Sequence, residues 1–163
     1  MLKLITIMEG NMILKNLRGI IIKNGQLVVM ERWKDDNHFF VFPGGHLEKN
    51  ETPEDCIKRE ILEEFGIIIE PVRLLYTYCY NENEYQGFFL CKWTKGKIHK
   101  TDADEYNSQH DFNGKYSPTT IPLDNIDEYT LFPECVVTQL KKDLQEFGLP
   151  LDRETISIKI NEA

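Results

Sequence analysis

No C-x-x-C pair, no apolar run of membrane-spanning length and no block of clustered lysine and arginine occurs in this chain of 163 residues. Each absence removes a class of function. The four cysteines, Cys56, Cys79, Cys91 and Cys135, are scattered, and no Cys/His spacing suits zinc. That pattern fits reduced thiols in the cytoplasm better than a disulfide framework. The N-terminal MLKLITIMEG is partly apolar, but Lys3 and Glu9 interrupt or bound it. It is too short for a membrane span and has no cleavage-site pattern. Acidic residues outnumber basic ones, 27 to 19, for a net charge of −8. Without clustered basic residues, neither stable nucleic-acid binding nor attachment to an anionic membrane is expected. A small phosphorylated ligand stays compatible, because a cation can screen its charge. No repeat, low-complexity segment or linker divides the chain.

What is present is a hydrophobic fraction of 41%, enough for one core. The length fits a single domain, 1–163, with its core at about 17–147 and with residues 1–12 and 150–163 peripheral. RGIIIK and QLVVMER flank Asn24-Gly25, which predicts a β-hairpin. FFVF reads as a strand stopped by Pro43-Gly44-Gly45, residues that do not continue a regular ladder. Residues 67–80 and 85–93 are strand-like. Residues 100–114 form a polar loop, 115–123 a short edge strand and 133–148 a helix. TISIKI near the C-terminus can add a strand. Strands and helices thus alternate in a mixed α/β or α+β domain.

One helix carries unusual charge. Thr52 is its predicted N-cap, Pro53 its first residue, Asp55 the capping-box acid and Gly66 its stop. Within it, REILEEFG gathers three glutamates. At about 100° per residue, Glu60, Glu63 and Glu64 share an arc of about 100°, with Arg59 beside them. Ile57, Ile61, Leu62 and Phe65 occupy the opposite arc and dock the helix. Three converging carboxylates supply hard oxygen ligands for Mg²⁺ or Mn²⁺. An acidic stripe exposed to solvent would look the same on the wheel alone.

The wider spacing separates the two readings. From Gly45 the chain reads GHLEKNETPEDCIKREILEEFGI, which is G-x5-E-x7-R-E-U-x-E-E-x-G-U with U aliphatic. A chance match has odds on the order of one in 10⁹ per starting position. This stretch resembles the box of the Nudix hydrolase (MutT-like) family, and the flanking elements follow that family's order. The resemblance implies a Nudix-type α/β/α sandwich with a mixed β-sheet between helices. It implies Mg²⁺- or Mn²⁺-dependent hydrolysis of a pyrophosphate bond in a nucleoside diphosphate-linked compound, by default a nucleoside triphosphate or derivative. A non-catalytic nucleotide-binding regulatory module of the same fold is the alternative. It further implies that Glu60, Glu63, Glu64 and the Gly44 carbonyl ligate the metal, and that Glu51 and Arg59 support them. The general base comes from Glu64 or Glu63, or from Glu105 in a later loop, where it would also be a ligand. Asp102 and Asp104 are weaker rivals of Glu105. Asn50 replaces the usual glycine before Glu51, and asparagine tolerates the left-handed conformation that the position needs.

The box says nothing about the rest of the substrate. Arg18 and Arg32 are candidate phosphate contacts, because a guanidinium grips phosphate in a bidentate way. Tyr78 and Tyr85 are candidate base contacts among an aromatic group that includes Trp33, Phe40, Tyr76 and Tyr80. Glu82 stands where ADP-ribose hydrolases of the family carry proline. The expected partner is a small nucleotide, and the expected state is a monomer or homodimer.

Overall fold

A computed structural model describes residues 13–81, 83–102, 114–149, 151 and 153–159. The Asn24-Gly25 hairpin forms as read, with both residues at positive φ, joining β1 (Ile13–Lys23) to β2 (Gln26–Lys34). β3 (Asn37–Val41) follows. The Pro-Gly-Gly stop proves to be only half a stop, because Gly44–His46 form a short strand, β4, antiparallel to β1. Gly44 allows this at φ 147°, where any Cβ would overlap the Leu17 carbonyl. Then come helix α1 (Pro53–Phe65), β5 (Ile68–Cys79), β6 (Glu84–Lys95) and β7 (Lys115–Pro122). A 3₁₀ turn (Leu123–Glu128), β8 (Leu131–Phe132), helix α2 (Glu134–Phe147) and β9 (Ile156–Lys159) complete the order. The 3₁₀ turn and β8 escape sequence reading, being too short to show a period.

The strands run β8-β3-β2-β1-β6-β5-β9, with β4 added to β1 and β7 to β2. β1 is the dividing strand. It pairs with β2 only at Ile22 and Lys23, then parts from it to meet β4 at Asn16, Leu17 and Arg18. Along its other edge it runs parallel to β6, with Arg18 opposite Phe88. The expected edge strand at 115–123 is β7, which pairs with β2 from Lys115 to Pro122.

Alternating residues feed two apolar layers. Ile21 and Val28 pack with Ile57, Ile61 and Phe65 of α1, while Ile20 and Val29 pack with Phe42, Phe88, Val136 and Leu140 on the α2 side. The mixed sheet therefore lies between two helices, as the resemblance implies. Leu62 departs from its expected place. It is 51% exposed, because at 200° on the wheel it falls beyond the docked edge of α1.

The C-terminal segment is less peripheral than its sequence suggests. Asp143 of α2 is fully buried and accepts bonds from Tyr76 Oη at 2.5 Å, Gln139 Nε2 at 2.9 Å and Arg153 Nη1 at 2.5 Å. Thr155 Oγ1 donates to the Leu74 carbonyl at 2.6 Å, and β9 then runs parallel to β5. A buried carboxylate is tolerable here because three donors satisfy it.

Candidate active site

Helix α1 begins where Thr52 Oγ1 accepts the Asp55 N–H at 3.1 Å, and ends where Gly66 at φ 69° donates to the Leu62 carbonyl at 3.0 Å. These caps fix which residues face the sheet. Asn50, at φ 64°, adopts the left-handed conformation expected of it and brings the loop back toward the helix.

Arg59 is the centre of the charged cluster. Its Nε and Nη2 donate to the two Glu51 oxygens at 2.7 and 3.0 Å, a bidentate pair. Nη1 donates to Glu60 at 2.9 Å and Glu63 at 3.3 Å, and Nη2 donates also to the His46 carbonyl at 3.1 Å. The guanidinium beside Glu51 holds that carboxyl far below its usual range, at about 2, against the opposing effect of burial. The same bonds raise the pKa of Arg59. Arg59 thus ties the loop, the short strand β4 and the acidic face of α1 together.

The three glutamates do not gather at one point. Glu60 and Glu64 are 8% and 9% exposed, and Glu63 is open to solvent. Residues i and i+4 stack along the docked edge of the helix, whereas i+3 turns outward. Glu60 and Glu63 meet at Arg59. Glu64 and Glu60 lie close enough to Arg18 to act against the burial that lowers its pKa. The Glu60 carboxylate rests on the Gly45 backbone, in a space that any Cβ at Gly45 would fill.

Does this arrangement fit a divalent ion? The donors are hard oxygens, two of them already share one cationic nitrogen, and the glycine cradle seats the third element, the backbone, against Glu60. The donor set fits. Among the described residues no three acidic, histidine or cysteine side chains stand as a ready ligand cage, and Arg59 pairs with Glu60 and Glu63. Glu105 and Asp104 lie outside the described residues. Before them, Thr101 donates to the Glu63 carbonyl and His99 N–H to the Phe65 carbonyl at 3.2 Å, so the chain runs past the end of α1.

Beside the acidic cluster opens a cleft of about 140 Å³, lined by Arg18, Val41, Phe42, Gln86, Phe88, Phe132 and Pro133. Phe42 and Phe88 meet edge to face, 5.4 Å apart. Arg18 donates to the Phe42 carbonyl at 3.3 Å and joins the cleft to the glutamates. Of the four residues read as substrate contacts, only Arg18 lines the cleft. Arg32 instead donates to Tyr116 Oη at 2.6 Å and lies over the Tyr116 and Phe39 rings. Tyr85 is 3% exposed, and burial pushes its pKa up to about 12. Tyr78 packs half-buried on the α2 side against Tyr80, 6.1 Å away. Tyrosine alternation identifies a shared face correctly, but not which face opens to a ligand. Gln86, Phe88 and Phe132 join the cleft from positions that the sequence does not single out. The one available signal was a lone amide in the apolar run YQGFFL.

A family model for the NUDIX domain matches residues 15–128. A MutT-like protein of Streptomyces ambofaciens is 33% identical over 94 residues, 55% of this chain and 57% of that protein. An 8-oxo-dGTP diphosphatase of Buchnera aphidicola is 34% identical over 82 residues, 48% of this chain and 66% of that protein. The matches therefore span less than two thirds of these relatives. A NUDIX hydrolase from Nitrosomonas europaea shares the fold at a TM-score of 0.68 and 16% identity, over 94% of this chain and 81% of that one.

Proposed function

Because the chain belongs to the Nudix family, we propose that it hydrolyses a pyrophosphate bond in a small nucleotide, most simply a nucleoside triphosphate or derivative. The observation that carries this reading is the Arg59-centred carboxylate cluster with Glu60 seated on the Gly45 backbone. Glu60, Glu63, Glu64 and the Gly44 carbonyl would hold a divalent ion of the Mg²⁺ or Mn²⁺ type. When bound, that ion neutralises phosphate charge and makes water a better nucleophile.

The chain's own residues do the rest. Arg59, clamped by Glu51, holds Glu60 and Glu63 on one side of the helix, and a bound ion would take over those oxygens from its Nη1. Arg18 sits between the acidic cluster and the cleft, where its guanidinium grips a phosphate oxygen. Glu64, or Glu63 on the solvent side, takes the proton from the attacking water. Four free cysteines suit a reducing compartment such as the cytoplasm. No described helix is long and apolar enough to cross a membrane.

The test is turnover of a panel of nucleoside triphosphates and nucleoside diphosphate-linked compounds with Mg²⁺ or Mn²⁺, with products identified. Glu64→Gln is expected to lower kcat by about 100-fold or more, with an unchanged melting temperature. Absence of hydrolysis across the panel with both ions would overturn the proposal.

A further inference from the structure

We propose that Cys56 is a positioning residue for the acidic site: its thiol pins the His46 carbonyl to helix α1 and so sets the Gly45 seat on which the Glu60 carboxylate rests. This deepens the functional reading above and rests on it. Cys56 lies in the first turn of α1 and is fully buried. Its Sγ donates to the His46 carbonyl at 3.3 Å, with the Gly45 carbonyl farther off at 3.9 Å. Arg59 Nη2 donates to the same His46 carbonyl at 3.1 Å. Two residues that are neighbours on the helix surface thus clamp one carbonyl of β4. The clamp matters because β4 is only three residues long and pairs with β1 through Asn16, Leu17 and Arg18. Its middle residue, Gly45, meets the Glu60 carboxylate so closely that any Cβ would overlap it. A shift of β4 against α1 therefore moves the seat of Glu60 directly.

The two donors differ in what a bound ion does to them. Arg59 is shared, with Nη1 on Glu60 and Glu63 and with Nε and Nη2 on Glu51. An ion that draws Glu60 and Glu63 away leaves Arg59 with fewer partners to hold it. The Cys56 bond to His46 involves none of the carboxylates expected on the ion, so it persists when the site fills. Burial pushes the thiol up to about 12, so it keeps the proton that it donates. A thiol is a weak donor. Serine offers a stronger donor in a similar volume, whereas valine fills the space and offers none, and the two separate hydrogen bonding from packing.

The experiment compares Cys56→Ser, Cys56→Val and Cys56→Ala with the wild type, below each melting temperature. One readout is turnover, with kcat and KM separated. The other is the Mn²⁺ concentration that gives half of the rise in melting temperature. Cys56→Ser is expected to stay within about twofold of the wild type in kcat and in that midpoint, while Cys56→Val and Cys56→Ala lower kcat and raise the midpoint about tenfold each at little change in KM, as misplacement of a binding group does. A role in packing alone predicts the opposite order, with valine tolerated and serine impaired. Two donor-free variants are used so that a steric failure of valine does not decide the result. Wild-type kcat and midpoint in the alanine variant, serine as impaired as alanine, or a wild type without any Mn²⁺-dependent rise would overturn the assignment. The midpoints are independent of turnover. Unshifted midpoints and kcat in an active enzyme sink the role of Cys56 alone, and shifted midpoints without hydrolysis of any nucleotide sink the proposed activity alone.

Discussion

Two adjacent glycines do different work, and single methyl groups distinguish them. At Gly45 the three atoms nearest an added Cβ all belong to the Glu60 carboxyl, the far end of a flexible side chain that can swing away. Gly45→Ala should therefore cost little stability and yet lower kcat by about tenfold or more, as misplacement of a binding group does; melting curves and turnover on the same sample check both halves. At Gly44 the Cβ meets the backbone of Leu17 and Arg18 at a φ of 147°. Gly44→Ala should destabilise by about 2 kcal/mol or more through strain and a backbone clash, seen as loss of melting temperature before any question of activity. Glu51 supplies a pH signature. Its carboxyl is held at about 2 in the folded chain, against an ordinary 4.5. A depressed carboxylate stabilises above the ordinary value and loses that contribution as pH falls through the depressed one. The melting-temperature gap between wild type and Glu51→Gln should thus be widest above pH 4.5 and close as pH falls toward about 2. A gap that widens on acidification would refute the assigned pairing.

At the scale of elements, what sequence reveals depends on the range of the interactions. Both ends of α1 were legible because Thr52, Pro53 and Gly66 act through bonds spanning at most four residues. The hairpin at Asn24-Gly25 was legible for the same reason. The cleft was not. Its walls come from β1, β3, the following Phe42, β6, β8 and Pro133, and only the β1–β6 register sets Arg18 opposite Phe88. Nor did the apolar wheel foresee that Glu60 and Glu64 would lie at the docked edge of α1, since a wheel gives angle and not depth. The C-terminal strand was legible as a strand but not as a fastened one. Replacing Arg153 with methionine leaves the buried Asp143 carboxylate without its cation. The expected cost is about 3 kcal/mol, read from urea unfolding, with faster amide exchange confined at first to Ile156–Lys159. Unchanged exchange there would show that β9 is held by its β5 pairing alone.

For the molecule as a whole, the acidic cluster couples ligand and fold. A cation held by the native glutamates and not by the unfolded chain must raise stability by mass action. Saturating Mg²⁺ or Mn²⁺ should raise the wild-type melting temperature and leave that of a Glu60→Gln, Glu64→Gln double variant unmoved. An equal rise in both would place the ion elsewhere. The net charge of −8 sets a background against which Arg18 and Arg59 are local exceptions, so the proposed nucleotide should bind more weakly without a divalent counterion, which titration with and without Mg²⁺ would read.

The division of the sheet at β1 also constrains how the protein is born. Arg18 is made early, but its parallel neighbour Phe88 lies far down the chain, beyond the entire acidic helix. A nascent polypeptide that has emerged through Gly66 already carries every glutamate of the box and still lacks the Gln86 and Phe88 side of the cleft. Parallel pairing over such a separation is slow to nucleate. Premature termination or ribosome pausing between β5 and β6 should therefore release chains that carry the acidic helix without the β6 wall of the cleft, with the β6-facing edge of β1 left open to pair with a neighbour.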